Sequence, residues 1–136
     1  MGQFAKDDAE RMFVTGIDHV QIAAPKGCEP EARNFFGHLL RLEEIEKPEP
    51  LSSRGGCWFK AGSHQLHVGV EEGFRPARKA HPAFAVFDID TLFLRLTGAG
   101  VRCVWDDALG NIRRFYADDP WGNRLEFTEP TCLDSN

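Results

Sequence analysis

The stretch IRRFYADDPWGNRLEFTEP, residues 112–130, reads as two strands joined by a turn. The turn, DDPWGN, gathers Asp, Pro, Gly and Asn, each of which favours chain reversal for its own backbone reason. Beyond it the side chains alternate, with Leu125 and Phe127 on one side and Arg124, Glu126 and Thr128 on the other. That period of two belongs to a half-buried strand. The same shape occurs earlier. WFKAGSHQLHVGVEE, residues 58–72, has an aromatic pair, a turn near Gly62-Ser63 and an alternating strand. A hairpin therefore closes each half of the chain.

Working upstream from each hairpin gives matching elements. VTGIDHVQIAAP (14–25) predicts a strand ending at Pro25. EPEARNFFGHLL (29–40) places Ala32, Phe35, Phe36, Leu39 and Leu40 on one helical face, with Pro30 in the first turn. A short strand over 42–47 and a Pro/Ser/Gly loop over 48–56 lead into the hairpin. After the loop GFRPARKA, HPAFAVFD (81–88) is a strand and IDTLFLRLTGAG a helix ended by Gly98 and Gly100. VRCVW (101–105) is the next strand. The order strand, helix, strand, strand, strand occurs twice at an interval of about 60 residues, which points to internal duplication. The expected fold is α+β: two tandem βαβββ modules, 14–71 and 81–130, forming a cup-shaped mixed sheet with helices on its outer face. Residues 1–12 read as a polar arm, and a length of 136 residues suits one domain.

Composition narrows the partners. With 11 Phe and 3 Trp the chain has the apolar bulk for a core. A formal charge of −5, with no basic block, speaks against nucleic acid. No apolar run approaches the ~20 residues that span a bilayer. MGQFAKDDAER lacks the apolar region of a signal peptide, so the cytoplasm is the expected location. Cys28, Cys57, Cys103 and Cys132 form no CxxC pair, which excludes a zinc ribbon and reads as reduced thiols.

Strand parity then sorts the polar residues. His19 and Gln21 oppose Val20 and Ile22; Gln65, His67 and Gly69 oppose Leu66, Val68 and Val70. His81, Ala83 and Ala85 oppose Phe84 and Val86, and Glu126 opposes Leu125 and Phe127. Each strand has one greasy face for a helix to cover, and each opposite face carries one ligand-type side chain. His19, His67, His81 and Glu126 are thus a candidate metal set, suited to Fe, Mn, Ni, Co or Zn. His38 and His64 fall outside this pattern and are expected in solvent.

GIDHVQIAAP, ARNFFGHLLRLEEIEKP, GSHQLHVGVE, HPAFAVFDID and above all DPWGNRLEF resemble the vicinal oxygen chelate superfamily over residues 14–130. That group includes glyoxalases, bleomycin-resistance proteins, fosfomycin-resistance thiol transferases, epimerases and extradiol dioxygenases. The resemblance implies metal ligands at His19, His67, His81 and Glu126, the four positions parity selects. It also implies a homodimer, since one common family arrangement builds each site from modules of two chains. The chain departs from common glyoxalases by carrying His67 where Glu is often found, which bears on proton transfer.

Two function classes follow. As an enzyme, a lyase, isomerase or transferase, the chain would use a divalent ion to polarise adjacent oxygens of a small substrate. Glu126 and His67 would then be its catalytic groups, as ligands or general bases. Ligation is the expectation for His67, with Gly69 leaving room beside its ring. As a metal-free binding module, it would hold a flat or cationic molecule among Trp58, Phe59, Trp105 and Trp121. An extradiol dioxygenase is the third reading. Among Arg113, Arg114 and Arg124, the last shares the face of Glu126 and is expected to contact substrate, together with Trp58 and Gln21.

Overall fold

The computed structural model describes residues 10–130. Residues 1–9 of the arm expected over 1–12, and Cys132, lie outside the described residues. Eight strands run in chain order: β1 (His19–Ala24), β2 (Glu43–Ile45), β3 (Cys57–Ala61), β4 (His64–Val70), β5 (Ala83–Ala85), β6 (Cys103–Trp105), β7 (Arg113–Asp118) and β8 (Arg124–Glu129). They form two four-stranded sheets of identical design, β1-β4-β3-β2 and β5-β8-β7-β6. In each, the first strand of a module crosses over to lie parallel to its last strand, and the other pairings are antiparallel. The duplicated βαβββ unit is therefore real, and the mixed sheet is divided in two.

A helix forms the crossover of each module. The first begins as α1 (Glu29–Ala32) and continues as a π-helix over Arg33–Leu39. There the Leu40 N–H reaches the Phe35 carbonyl at 3.0 Å, one residue further than an α-helix allows. Ala32, Phe35 and Phe36 turn inward onto Ile22, Phe59, Leu66 and Val68. The second, α2 (Ile89–Gly98), is capped by Asp88, whose carboxylate accepts from the Thr91 N–H and hydroxyl. Its Ile89 and Leu96 pack with Phe115, Leu125 and Phe127. Helices thus cover the apolar face of each sheet, as alternation predicts, and the polar faces are left open.

Several elements are shorter than their sequence patterns. β1 begins at His19 rather than residue 14, because its register partner Gln65 lies one residue from the start of β4. β5 is confined to Ala83–Ala85: Pro82 has no N–H to offer, and Asp88 already turns at φ 57°. The loop over 48–56 contains a 3₁₀ helix, Glu49–Arg54.

Two devices set the modules. Gly56, at φ 87°, lies so close to the Val68 carbonyl that a Cβ there would overlap it, and its N–H is held at 2.6 Å by the Glu29 carboxylate. At the other end, buried Asp119 accepts from the N–H groups of Trp121 and Asn123 and from the Asn123 amide. Asn123 in turn accepts from the Ala77 N–H and donates to the Ala23 carbonyl at 2.8 Å. The DDPWGN turn therefore ties β1 of the first module to β8 of the second.

Candidate functional site

On the open face of the first sheet, β4 runs between β1 and β3, with His67 opposite Gln21 on one side and Trp58 on the other. The His67 ring is covered on both faces. Trp58 stacks at 3.7 Å between centroids with planes 3° apart, and His19 stacks at 4.1 Å and 18°. Only 4% of His67 is exposed. Its Nε2 lies 2.9 Å from the side-chain Oε1 of Gln65. Burial, then the neighbouring His19, hold its pKa below the ordinary imidazole value, so the ring is neutral at pH 7. His19 is more open, and its Nδ1 donates to the Asp18 carboxylate at 2.9 Å. That bond leaves the lone pair on Nε2. The space Gly69 provides is taken by Gln21, whose amide would lie 2.7 Å from a Cβ at that position. It does not lie vacant beside His67.

The second sheet presents a charged row. His81 precedes β5, its Nδ1 bonded to the Lys79 carbonyl at 2.8 Å and its Nε2 2.9 Å from Glu126 Oε1. The other carboxylate oxygen of Glu126 accepts from Arg114 at 3.3 Å, and Arg114 also pairs with Asp106 at 2.9 Å. Tyr116, the register partner of Glu126, sets its ring edge-on to His81 at 5.5 Å. Arg124 stacks its guanidinium 3.9 Å above the same tyrosine. Arg113 leaves this face altogether and pairs with Asp90.

The four ligand-type residues are thus brought together in two pairs, His19 with His67 and His81 with Glu126. Among the described residues no group of three His, Cys, Asp or Glu is placed to hold one ion. The stack also bears on the fourth ligand. An ion bound to imidazole lies in the ring plane about 2.0–2.1 Å from nitrogen. The nearly parallel planes of His19 and His67 do not meet within that distance. As placed, His67 supports His19 rather than sharing an ion with it.

The second pair has a different character. The Lys79 carbonyl can only accept, so Nδ1 of His81 carries a proton. In the neutral ring Nε2 is then a lone pair facing a carboxylate oxygen. A proton or a cation must sit between them. The 2.9 Å gap is that of a hydrogen bond, and it is also close to the roughly 3.0 Å between donors at right angles on a six-coordinate ion with bonds near 2.1 Å. The donor chemistry fits a divalent metal.

Other expectations sort plainly. His38 and His64 are exposed. Phe59 is fully buried and lines no cleft; Trp105 packs on Phe93 and Phe115, and Trp121 packs near Phe36. Cys28, Cys57 and Cys103 are free thiols, and burial pushes Cys57 and Cys103 up to about 11. A cavity of about 970 Å³ runs between the modules past Val20, Leu66, Phe84, Leu92 and Phe127, on the helix side of the sheets. None of the four ligand-type residues lines it. Sequence reasoning missed Tyr116 and undervalued Arg114. The alternation of RRFYAD against RLEFTE, paired antiparallel, already puts both on the face of Glu126.

No helix among the described residues is long and apolar enough to cross a membrane. No family model and no curated protein matches the sequence. Solved structures do. A protein from Bacillus anthracis assigned to the glyoxalase family is 52% identical, covering 89% of this chain and 99% of its own, with a TM-score of 0.86. The fosfomycin resistance protein of Listeria monocytogenes (16% identity, 91% and 100% covered, TM-score 0.71) shares the fold. So does the lactoylglutathione lyase of Agrobacterium tumefaciens (19% identity, 87% and 96% covered, TM-score 0.67).

Proposed function

Because the chain belongs to the glyoxalase family of the vicinal oxygen chelate superfamily, we propose that it is a divalent-metal-dependent enzyme acting on a small substrate with adjacent oxygens. The observation that carries this reading is the His81 Nε2 placed 2.9 Å from Glu126 Oε1, a gap that a proton or a cation must bridge. His19, His81 and Glu126 are the proposed ligands, two imidazoles and a carboxylate with positions left for substrate. Zn, Ni, Mn, Co and Fe all suit that set. A bound ion would supply Lewis acidity toward a developing enolate or alkoxide.

Each proposed ligand is oriented by this chain. Asp18 fixes the tautomer of His19, the Lys79 carbonyl fixes that of His81, and Arg114 anchors one oxygen of Glu126 while the other faces His81. His67 keeps His19 in place by stacking. Kept neutral by burial and bonded to Gln65, it is also the group able to accept a proton, with Glu126 the alternative base. Trp58, Gln21 and Arg124 border these pairs as substrate contacts.

The ligands divide between modules, so we assign the complete site to a homodimer, with His19 from one copy meeting His81 and Glu126 of another. Bare apolar side chains support this pairing: Phe13, Ile17 and Phe87 are 100%, 65% and 91% exposed beside β1 and β5. The test is mixing. Neither His19→Ala nor Glu126→Ala alone should hold stoichiometric metal. Unfolded together and refolded, the pair should regain one intact site per mixed dimer. A mixture as empty as its parents would sink the shared site. The stacked Trp58, His67 and His19 rings favour a second reading, a metal-free site for a flat aromatic ligand. A wild-type protein that takes up no transition metal would favour it.

A further inference from the structure

We propose that Arg124 anchors an oxyanion on the substrate, so that the site accepts small molecules bearing a carboxylate or a phosphorus oxyanion. The inference rests on the preceding reading only for the identity of this face as the substrate side. It comes from how the cations of the second sheet are spent. Arg113 is paired with Asp90, Arg114 with Asp106 and Glu126, and Arg78 and Arg102 with Asp118. Arg124 alone of this set has no carboxylate or carbonyl partner for its guanidinium among the described residues.

That is not for want of a neighbour. Asp118 is the cross-strand partner of Arg124 in the β7–β8 register, within easy reach of its side chain. Arg124 turns away from it and sets its guanidinium carbon over Tyr116, 3.9 Å from the ring centroid. The ring contact holds the guanidinium in place with no protein acceptor on its N–H groups among the described residues, and such a fork grips a planar or tetrahedral oxyanion with two parallel bonds. Arg124 and Glu126 are two residues apart on one strand, so their side chains leave the same face about 7 Å apart. An anionic substituent held by Arg124 would put the rest of a small molecule beside the His81–Glu126 pair. Arg114 cannot serve the same purpose, since its fork is already divided between two carboxylates.

The probes are acetate and methylphosphonate, each titrated calorimetrically against its neutral counterpart, acetamide or dimethyl methylphosphonate, at low ionic strength. The full chain should bind at least one anion and neither neutral compound; the tighter anion identifies the substituent. Arg124→Gln should weaken that binding at least tenfold, and Arg124→Lys, a point charge without the fork, should recover part of it. Arg113→Gln should leave it unchanged. Wild-type anion affinity in Arg124→Gln, or equal binding of the neutral compound, would overturn the proposal. Zinc titration of the same proteins separates the two readings. Zinc bound with no anion binding removes the anchor alone. Arg124-dependent anion binding without zinc removes the metal enzyme and keeps the anchor.

Discussion

Asn123 donates its side-chain amide to the backbone carbonyl of Ala23 at 2.8 Å, a bond between positions 100 apart in the chain. Ala23 follows His19 on β1, and Asn123 ends the turn that leads into the strand that carries Glu126. One amide thereby ties together the strands that carry the two ligand-type pairs.

Asn123→Ala should destabilise the protein by about 3 kcal/mol, since three hydrogen bonds of about 1 kcal/mol each are lost and Asp119 is left buried with fewer donors. For a chain of this length the melting temperature should fall by roughly 10 °C. Thermal unfolding followed by circular dichroism checks it, and a shift under about 2 °C would show that the turn closes without this residue.

His81→Ala should remove stoichiometric metal, and so should His19→Ala. His67→Ala should keep the stoichiometry while losing about tenfold in affinity, the lower end of what losing a supporting partner costs. Metal analysis after dialysis and a competitive zinc titration give both numbers. Equal losses at His67 and His81 would make His67 a ligand and require its ring to leave the stack.

Glu29 yields a pH signature. The Gly56 N–H, then the residue's own backbone N–H, hold its carboxyl below the usual range. A depressed carboxyl stabilises the fold above its unfolded value, about 4.3, and that stability is lost as pH falls through the lower folded value. Wild type should exceed Glu29→Gln by about 1 kcal/mol at pH 7, the group being partly open to solvent. The gap should close as pH falls below about 4.3. Urea unfolding across that range decides it; a gap independent of pH would mean the charge contributes nothing.

Gly56→Ala and Gly62→Ala make an informative pair. Both sit at positive φ, 87° and 60°, but only Gly56 faces a backbone carbonyl, whereas nothing lies within 4 Å of Gly62. Gly62→Ala should cost about 1 kcal/mol and Gly56→Ala about 3 or more, enough to lower soluble yield. Similar costs at both sites would show that β4 gives way without penalty.

Parity made the faces of this fold readable, because burial forces alternation on every strand that packs a helix on one side. It could not reveal the π-helix. Phe35, Phe36 and Leu39 occupy the inward face whether the hydrogen bonds span four residues or five. Nor could it reveal what His67 touches, since parity gives a side chain its face and not its neighbour. Trp58 meets that ring through the register of its own hairpin, and His19 through pairing of β4 with a strand far away in sequence. Arg124 was legible as a residue on the right face. That it ignores Asp118 was not, because the competition of Arg78 and Arg102 for that carboxylate arises only once the loop and β6 have folded against β7.

The division of ligand-type side chains between the modules has a kinetic consequence. On the assembly proposed above, a lone chain carries two unfinished halves and no working centre. Specific activity should then decline on dilution, following mass action, while each chain stays folded. Cells making a defective copy beside a sound one would lose centres in mixed pairs as well as in defective ones. One impaired polypeptide could silence part of its neighbour's output.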